Sequence, residues 1–269
     1  MAAARSSHPL KLVSQVKRTT VRKRMEGMMA SRMAKARVAG AVYITASVVG
    51  FIRLMYVPSI LFVHGNASAT AQNLLAHETL FRWTIASEPI AWALWLLVPL
   101  ALYRLLDDVD HALAVLMVIL GAFIQVPLGV INTATDAAAL MLARGADFLS
   151  VVDKPQRDAY AMFFLNLHHQ IDLANLVFAG LWLVPFGLLV YKSRFLPRFI
   201  GVWLVLECVG WLAFSVTGFV SPANEDKVFA YAQPLFFAEV AIMLWLTIFG
   251  ARPLAIIGRR ASGLSERAT

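Results

Sequence analysis

Three polar residues on one predicted helix face open the chemistry of this chain: His168, Asp172 and Asn175, spaced four and then three apart. On such a face a carboxylate can accept the imidazole proton and fix its tautomer, the arrangement used in proton relays and metal shells. Arg53, Glu88, Asn132, Asp136, Glu207 and Glu239 lie within or at the ends of other apolar runs. A charged side chain at the centre of a bilayer costs roughly 2.5–3.5 kcal/mol, so such residues face a bundle interior or a water-filled cavity. Together the nine outline a candidate intramembrane polar pocket. Three readings of the fourth-run face stand, in this order: a hydrogen-bonded seam between helices, a proton or substrate site, and a metal site.

The acid balance sharpens the second reading. Glu88, Asp136, Asp172, Glu207 and Glu239 outnumber Arg53, His168 and His169. An excess of carboxyl groups in an apolar setting takes up protons or attracts cations. A bis-histidine haem is not expected, because His64, His77 and His111 fall outside the runs or at their ends and His8 is near the amino terminus. No spacing requires a metal, and no cofactor is expected. Glycine-rich phosphate loops, H-E-x-x-H, G-x-S-x-G and cysteine clusters are all missing from the sequence.

The elements that would position these groups are membrane helices. Of 269 residues, 59% are hydrophobic and 15% charged, with mean hydropathy +0.69. Soluble domains are closer to half apolar and a quarter charged. Apolar runs of about 20 residues, enough to cross roughly 30 Å of hydrocarbon, are drawn at about 38–63, 83–106, 111–135, 158–191, 197–219 and 229–250. The third extends towards Arg144. The fold class is therefore all-α: a polytopic membrane protein, a bundle of six transmembrane helices with an additional short outer-surface helix in TAQNLLAHETLFR. Asp110 suits the cap of the third helix and Pro197 the first turn of the fifth. By depth, all the charged residues fall between the midplane and the outer surface. Pro58, Pro89, Pro99, Pro127, Pro185 and Pro234 predict kinks. Tryptophans and tyrosines read as interface anchors and packing groups.

Net charge is +8, yet residues 1–37 hold ten Lys or Arg against Glu26 alone, which is +9 and leaves −1 for the rest. The basicity thus belongs to one segment, which fits the positive-inside rule and attraction to anionic lipid and not a nucleic-acid surface. Three regions follow: 1–36, a basic, disordered cytoplasmic tail; 37–251, the six-helix domain; 252–269, a short cytoplasmic tail. A transit peptide or a start at Met25, Met28, Met29 or Met33 are other readings of the first region. Lys and Arg counts put both termini in the cytoplasm of a multi-pass protein of the cell membrane. Expected partners are the lipid bilayer, with anionic lipid at the basic tail; oligomeric state is not legible. Cys208, the one cysteine, reads as a small apolar filler.

Ordered landmarks carry a family resemblance: Arg37-Val38-Ala39-Gly40-Ala41-Val42-Tyr43, then Leu80 to Glu88, then Ser193 to Gly201, and Pro234…Glu239…Leu244-Trp245-Leu246. Over about residues 36–250 the chain resembles the bacterial membrane family catalogued as domain of unknown function 4386. The resemblance implies about six membrane helices and no particular activity. Arg82, His168, Pro197, Arg198 and Glu239 match positions of its pattern. Glu88 stands where Asp is more usual, and His169-Gln170-Ile171-Asp172 departs from a Gly- and Tyr-rich run. For function, small-solute or proton-coupled transport or sensing ranks first. A membrane-embedded enzyme using His168 and carboxylates is second, and a structural or partner-binding protein third.

Overall fold

The computed structural model describes residues 8–52, 56–63 and 65–251, with side chains from residue 23 onward except that of Pro58. Among the described residues ten α-helices follow in order: α1 His8–Phe51, α2 Val57–Leu61, α3 Ala67–Ala76, α4 Glu78–Leu106, α5 His111–Val118, α6 Gln125–Arg144, α7 Lys154–Leu181, α8 Leu183–Lys192, α9 Arg198–Val220 and α10 Glu225–Ile248. No strand occurs among the described residues. Five helical stretches are long and apolar enough to cross a membrane: Glu78–Leu106, His111–Arg144, Lys154–Lys192, Arg198–Val220 and Pro222–Ile248. The protein is a multi-pass membrane protein.

The first apolar run is helical on both sides of residues 53–55, which lie outside the described residues. The regular part of α1 reaches Phe51, so its apolar stretch from Val38 provides about 21 Å of helix at 1.5 Å per residue; Ile52 and Tyr56 are in wider π-type helix, and α2 follows at Val57–Leu61. At its other end α1 runs back to His8, through most of the segment read as a tail. Lys, Arg, Met and Ala dominate there, and all are strong helix formers.

Neighbouring helices close into a ring: α1 packs on α4, α4 on α6, α6 on α7, α7 on α9, α9 on α10, and α10 returns to α1. At one end, called lower below, Arg32 reaches Asp108 at 3.3 Å and covers the Phe195 ring at 5.3 Å. Asp110 caps α5 by accepting from the Leu113 amide at 3.2 Å and takes Lys192 at 2.9 Å. Pro197 stands at the cap of α9, one residue before its first turn. Small residues allow close approach: a Cβ on Gly187 would lie 2.5 Å from the Gly201 carbonyl, so α8 and α9 touch through their backbones.

Two prolines explain the irregular turns. Pro127 would clash with the Phe123 carbonyl of a regular helix; residues Ile119–Ile124 instead form a wide π turn between α5 and α6. Pro185 stands in the same relation to Leu181, where α7 ends and the chain turns at Trp182 into α8. Carbonyls of the π turn find side-chain donors: Trp95 Nε1 donates to Gly121 O at 2.9 Å and Gln125 Nε2 to Leu120 O at 3.0 Å. Such compensation is what lets proline persist in membrane helices. A larger apolar core built around Tyr43, Trp182 and Phe186 fills the lower and middle bundle. A smaller core, including Leu61, Leu74, Phe81, Ala139 and Leu165, joins α2 and α3 to the upper ends of α4, α6 and α7.

Candidate functional site

The polar residues separate into clusters at different heights. The upper cluster spans α6 and α7. His168 Nδ1 lies 3.0 Å from Asp136 Oδ1 and Nε2 lies 3.2 Å from Asp172 Oδ2. Asn132 Nδ2 donates to Asp172 Oδ1 at 2.9 Å and to the His168 carbonyl at 3.1 Å. Thr135, which sequence inspection passed over, donates to the Asn132 carbonyl at 2.6 Å and stands 3.3 Å from His168 Nδ1. Its signal was positional: one turn after Asn132 on the same face.

Helical spacing explains the cluster. Asn132 and Asp136 are four apart on α6, and His168 and Asp172 four apart on α7, so the two antiparallel faces meet. Both ring nitrogens of His168 face carboxylate oxygens. Only a ring carrying a proton on each nitrogen donates to both. With one ring proton, the other nitrogen would instead accept from a protonated carboxyl group; in both arrangements each nitrogen shares one proton with a carboxyl oxygen. Asp136 is buried, whereas the Asp172 side chain is 34% exposed.

Asn175 lies one turn below Asp172. Its Nδ2 donates to the Gln125 carbonyl at the limiting distance of 3.5 Å, and its Oδ1 is buried with no hydrogen-bond partner. On α7, Ser215 of α9 donates to the Leu173 carbonyl at 2.7 Å, fixing the register of the two helices. Glu88 is buried on α4, where its Oε1 accepts from Trp92 Nε1 at 3.2 Å. The Trp92 indole lies on Gly129 of α6, three residues before Asn132.

The lower cluster joins α1, α9 and α10. Glu207 is buried; its Oε2 accepts from the Glu239 amide at 3.2 Å, and its Oε1 has no partner. The Tyr43 hydroxyl donates to Glu239 Oε1. Tyr43, Trp95 and Trp182 enclose this point with ring centroids 5.7–6.0 Å apart. These three aromatics are packing groups inside the bundle, one of the two roles their residue types suggested. Only the contact of Tyr43 with Glu239 sets it apart from the other tyrosines, and a sequence does not print contacts.

Height along α7 measures the separation. Gly180 faces the Cys208 carbonyl, next to Glu207, where a Cβ would approach to 3.1 Å. Twelve residues, or about 18 Å of helix, lie between Gly180 and His168. Asp136, His168, Asp172 and Asn132 are therefore one cluster, and Glu207 with Glu239 another. Asn175 stands between them, and Glu88 is on α4 beside Trp92. Arg53 lies outside the described residues. Among the described residues, no three His, Cys, Asp or Glu side chains are placed to hold a metal ion.

Residues 38–250 match the family described as Domain of unknown function (DUF4386), and the chain belongs to that family. A relative described as an uncharacterized protein from Archaeoglobus fulgidus is 28% identical over 93 residues, 35% of this chain and 54% of that one. The chain thus spans about half the length of this curated relative. No solved structure matches.

Proposed function

We propose that this protein handles protons within its bundle, taking them at the His168 cluster and holding them at the Glu207–Glu239 pair, in proton-coupled transport of a small solute or in sensing. One observation carries the reading: titratable groups stand at two heights of one bundle, with the unpartnered acceptor Asn175 Oδ1 between them and the unpartnered Glu207 Oε1 at the lower one. Buried acceptors left unpaired cost about 1–3 kcal/mol each, and a moving proton or water satisfies them in turn. A hydrolytic role fits less well, because a general base needs one ring nitrogen free for its substrate and both nitrogens of His168 are engaged.

The positive-inside rule puts the lower end, both termini and the basic segment in the cytoplasm of the cell membrane, the basic segment against anionic lipid. α1 and its continuation make a sixth crossing, and α3 lies on the outer surface. About 20 residues cover 30 Å of hydrocarbon. Counted upward from Lys192, the outer edge falls near Asp172, with His168 about 6 Å beyond at headgroup level. Counted from Arg198, Glu207 is near mid-depth, about 14 Å in.

The test is infrared difference spectroscopy of the protein in lipid nanodiscs after a jump in bulk pH. A carboxylic acid C=O band is expected to respond, to vanish in Glu207→Gln with Glu239→Gln, and to respond more slowly in Asn175→Leu. A Glu207–Glu239 pair silent to bulk pH, with both variants folded, would sink the proposal.

A further inference from the structure

A second feature, independent of proton handling, lies on the outside of the ring. Between the upper parts of α4 and α6 runs an open groove of about 550 Å³, within the size range of small-ligand sites. Ala86, Ala137 and Met141 form its apolar floor, and Arg82, Arg144 and Asp147 its polar end. The small side chains at 86 and 137 are what leave the space.

The charges at that end are arranged to receive a zwitterion. Arg82 Nε and Arg144 Nη1 converge on one oxygen, Glu78 Oε1, at 2.7 and 3.4 Å. Each guanidinium has five N–H donors in a fixed fork. One Arg82 N–H goes to Glu78, Arg144 faces the same oxygen as an ion pair without a hydrogen bond, and neither guanidinium makes another hydrogen bond to the described residues. A fork of this shape suits two oxygens of a phosphodiester. Asp147 is exposed, and its carboxylate makes no hydrogen bond or ion pair among the described residues. Three guanidiniums, those of Arg82, Arg144 and Arg157 (which lies against Gly145 of the lining), stand against the carboxylates of Glu78 and Asp147, so the end carries one net positive charge and Asp147 is its place for a cationic group. That end offers separate partners to a phosphate and an ammonium.

Depth matches as well. Twenty residues above Leu106, about 30 Å, is Ala86, which sets the apolar floor at the hydrocarbon edge and Arg82 about 6 Å beyond, among headgroups. Trp83 beside Arg82 is 71% exposed and Phe148 beside Asp147 is 67% exposed. Aromatic side chains of this kind settle at that interface.

We infer that this groove binds an aminophospholipid of the outer leaflet, its phosphate on Arg82 and Arg144, its ammonium on Asp147, its glycerol region beside Ala137 and Met141, and its acyl chains descending past Ala86 into the hydrocarbon. Primary ammonium is favoured over choline because Asp147 can accept its N–H hydrogens, and a quaternary nitrogen has none to donate.

The full chain is exchanged into nanodiscs of equal phosphatidylethanolamine, phosphatidylcholine and phosphatidylglycerol, extracted in mild detergent, and its retained lipids are counted by native mass spectrometry. Retained phosphatidylethanolamine is expected to exceed phosphatidylcholine at least fivefold. Arg82→Ala with Arg144→Ala should reduce total retained phospholipid at this site about tenfold. Asp147→Asn should keep retention but bring the two zwitterionic lipids level. If the double arginine variant does not stay monodisperse, Ala86→Phe with Ala137→Phe fills the groove and should have the same effect. Equal retention of all three lipids by the unaltered chain, preference for phosphatidylglycerol, or displacement by millimolar inorganic phosphate as a free anion site would each overturn the inference.

Discussion

Replacing the two carboxylates of the upper cluster one at a time gives unequal outcomes. Asp136→Asn and Asp172→Asn each remove one charged acceptor from His168, at 3.0 and 3.2 Å respectively. A hydrogen bond to a charged group is worth about 1.5–3 kcal/mol. The Asp136 side chain is 7% exposed and the Asp172 side chain 34% exposed, so water replaces the second partner in part and the first hardly at all. Asp136→Asn should therefore cost about 2–3 kcal/mol and Asp172→Asn about 1. The higher figure stays below the 3–5 kcal/mol of a fully orphaned buried charge, because one carboxylate remains. At about 2–4 °C per kcal/mol for chains of comparable size, Tm falls by roughly 4–12 °C and 2–4 °C. Tryptophan fluorescence during thermal unfolding in mild detergent, in parallel for both variants, reads the difference. Equal losses, or a larger loss from Asp172→Asn, would refute the assignment of Asp136 as the buried partner.

Three further outcomes follow from the packing. Gly129→Ala places a Cβ 1.8 Å from the Trp92 ring; displacing the indole costs about 1–3 kcal/mol, and Trp92→Leu in the same chain should recover most of it in the same thermal assay. Pro127→Ala removes the cause of the π turn, so the Trp95 donation to Gly121 O should weaken, visible as a shift of the Trp95 N–H signal in ¹⁵N spectra. At the α4–α5 turn, Lys192 first and the Leu113 amide second hold the Asp110 carboxyl below the usual carboxylate range. A lowered folded value means this contribution is complete above the unfolded value of about 3.9 and fades as pH falls through the folded one. Hydrogen exchange at the Leu113 amide, corrected for intrinsic rate, should be flat from pH 7 to 5 and rise below about 4.

The membrane class, the helical stretches and the His168–Asp172 face were legible because hydropathy and a four-residue spacing are local properties. The same holds for Asp110, whose cap needs only the residues beside it. Interhelical registration is not local. Nothing near Asp136 announces that it meets His168, 32 positions away in sequence, and nothing near Tyr43 announces Glu239. The depth estimate placed every charge in one zone, yet about 18 Å separates the two clusters, because a span boundary uncertain by a few residues blurs height by a helical turn.

Proton movement itself is the most direct test. The protein is reconstituted into vesicles containing a pH-sensitive dye, and an imposed pH difference is followed with and without a counter-ion path. Flux above protein-free vesicles is expected, lost in Glu207→Gln with Glu239→Gln and reduced at least fivefold in His168→Leu. Vesicles with folded protein that leak no faster than empty ones, or a flux untouched by all three substitutions, would contradict the account.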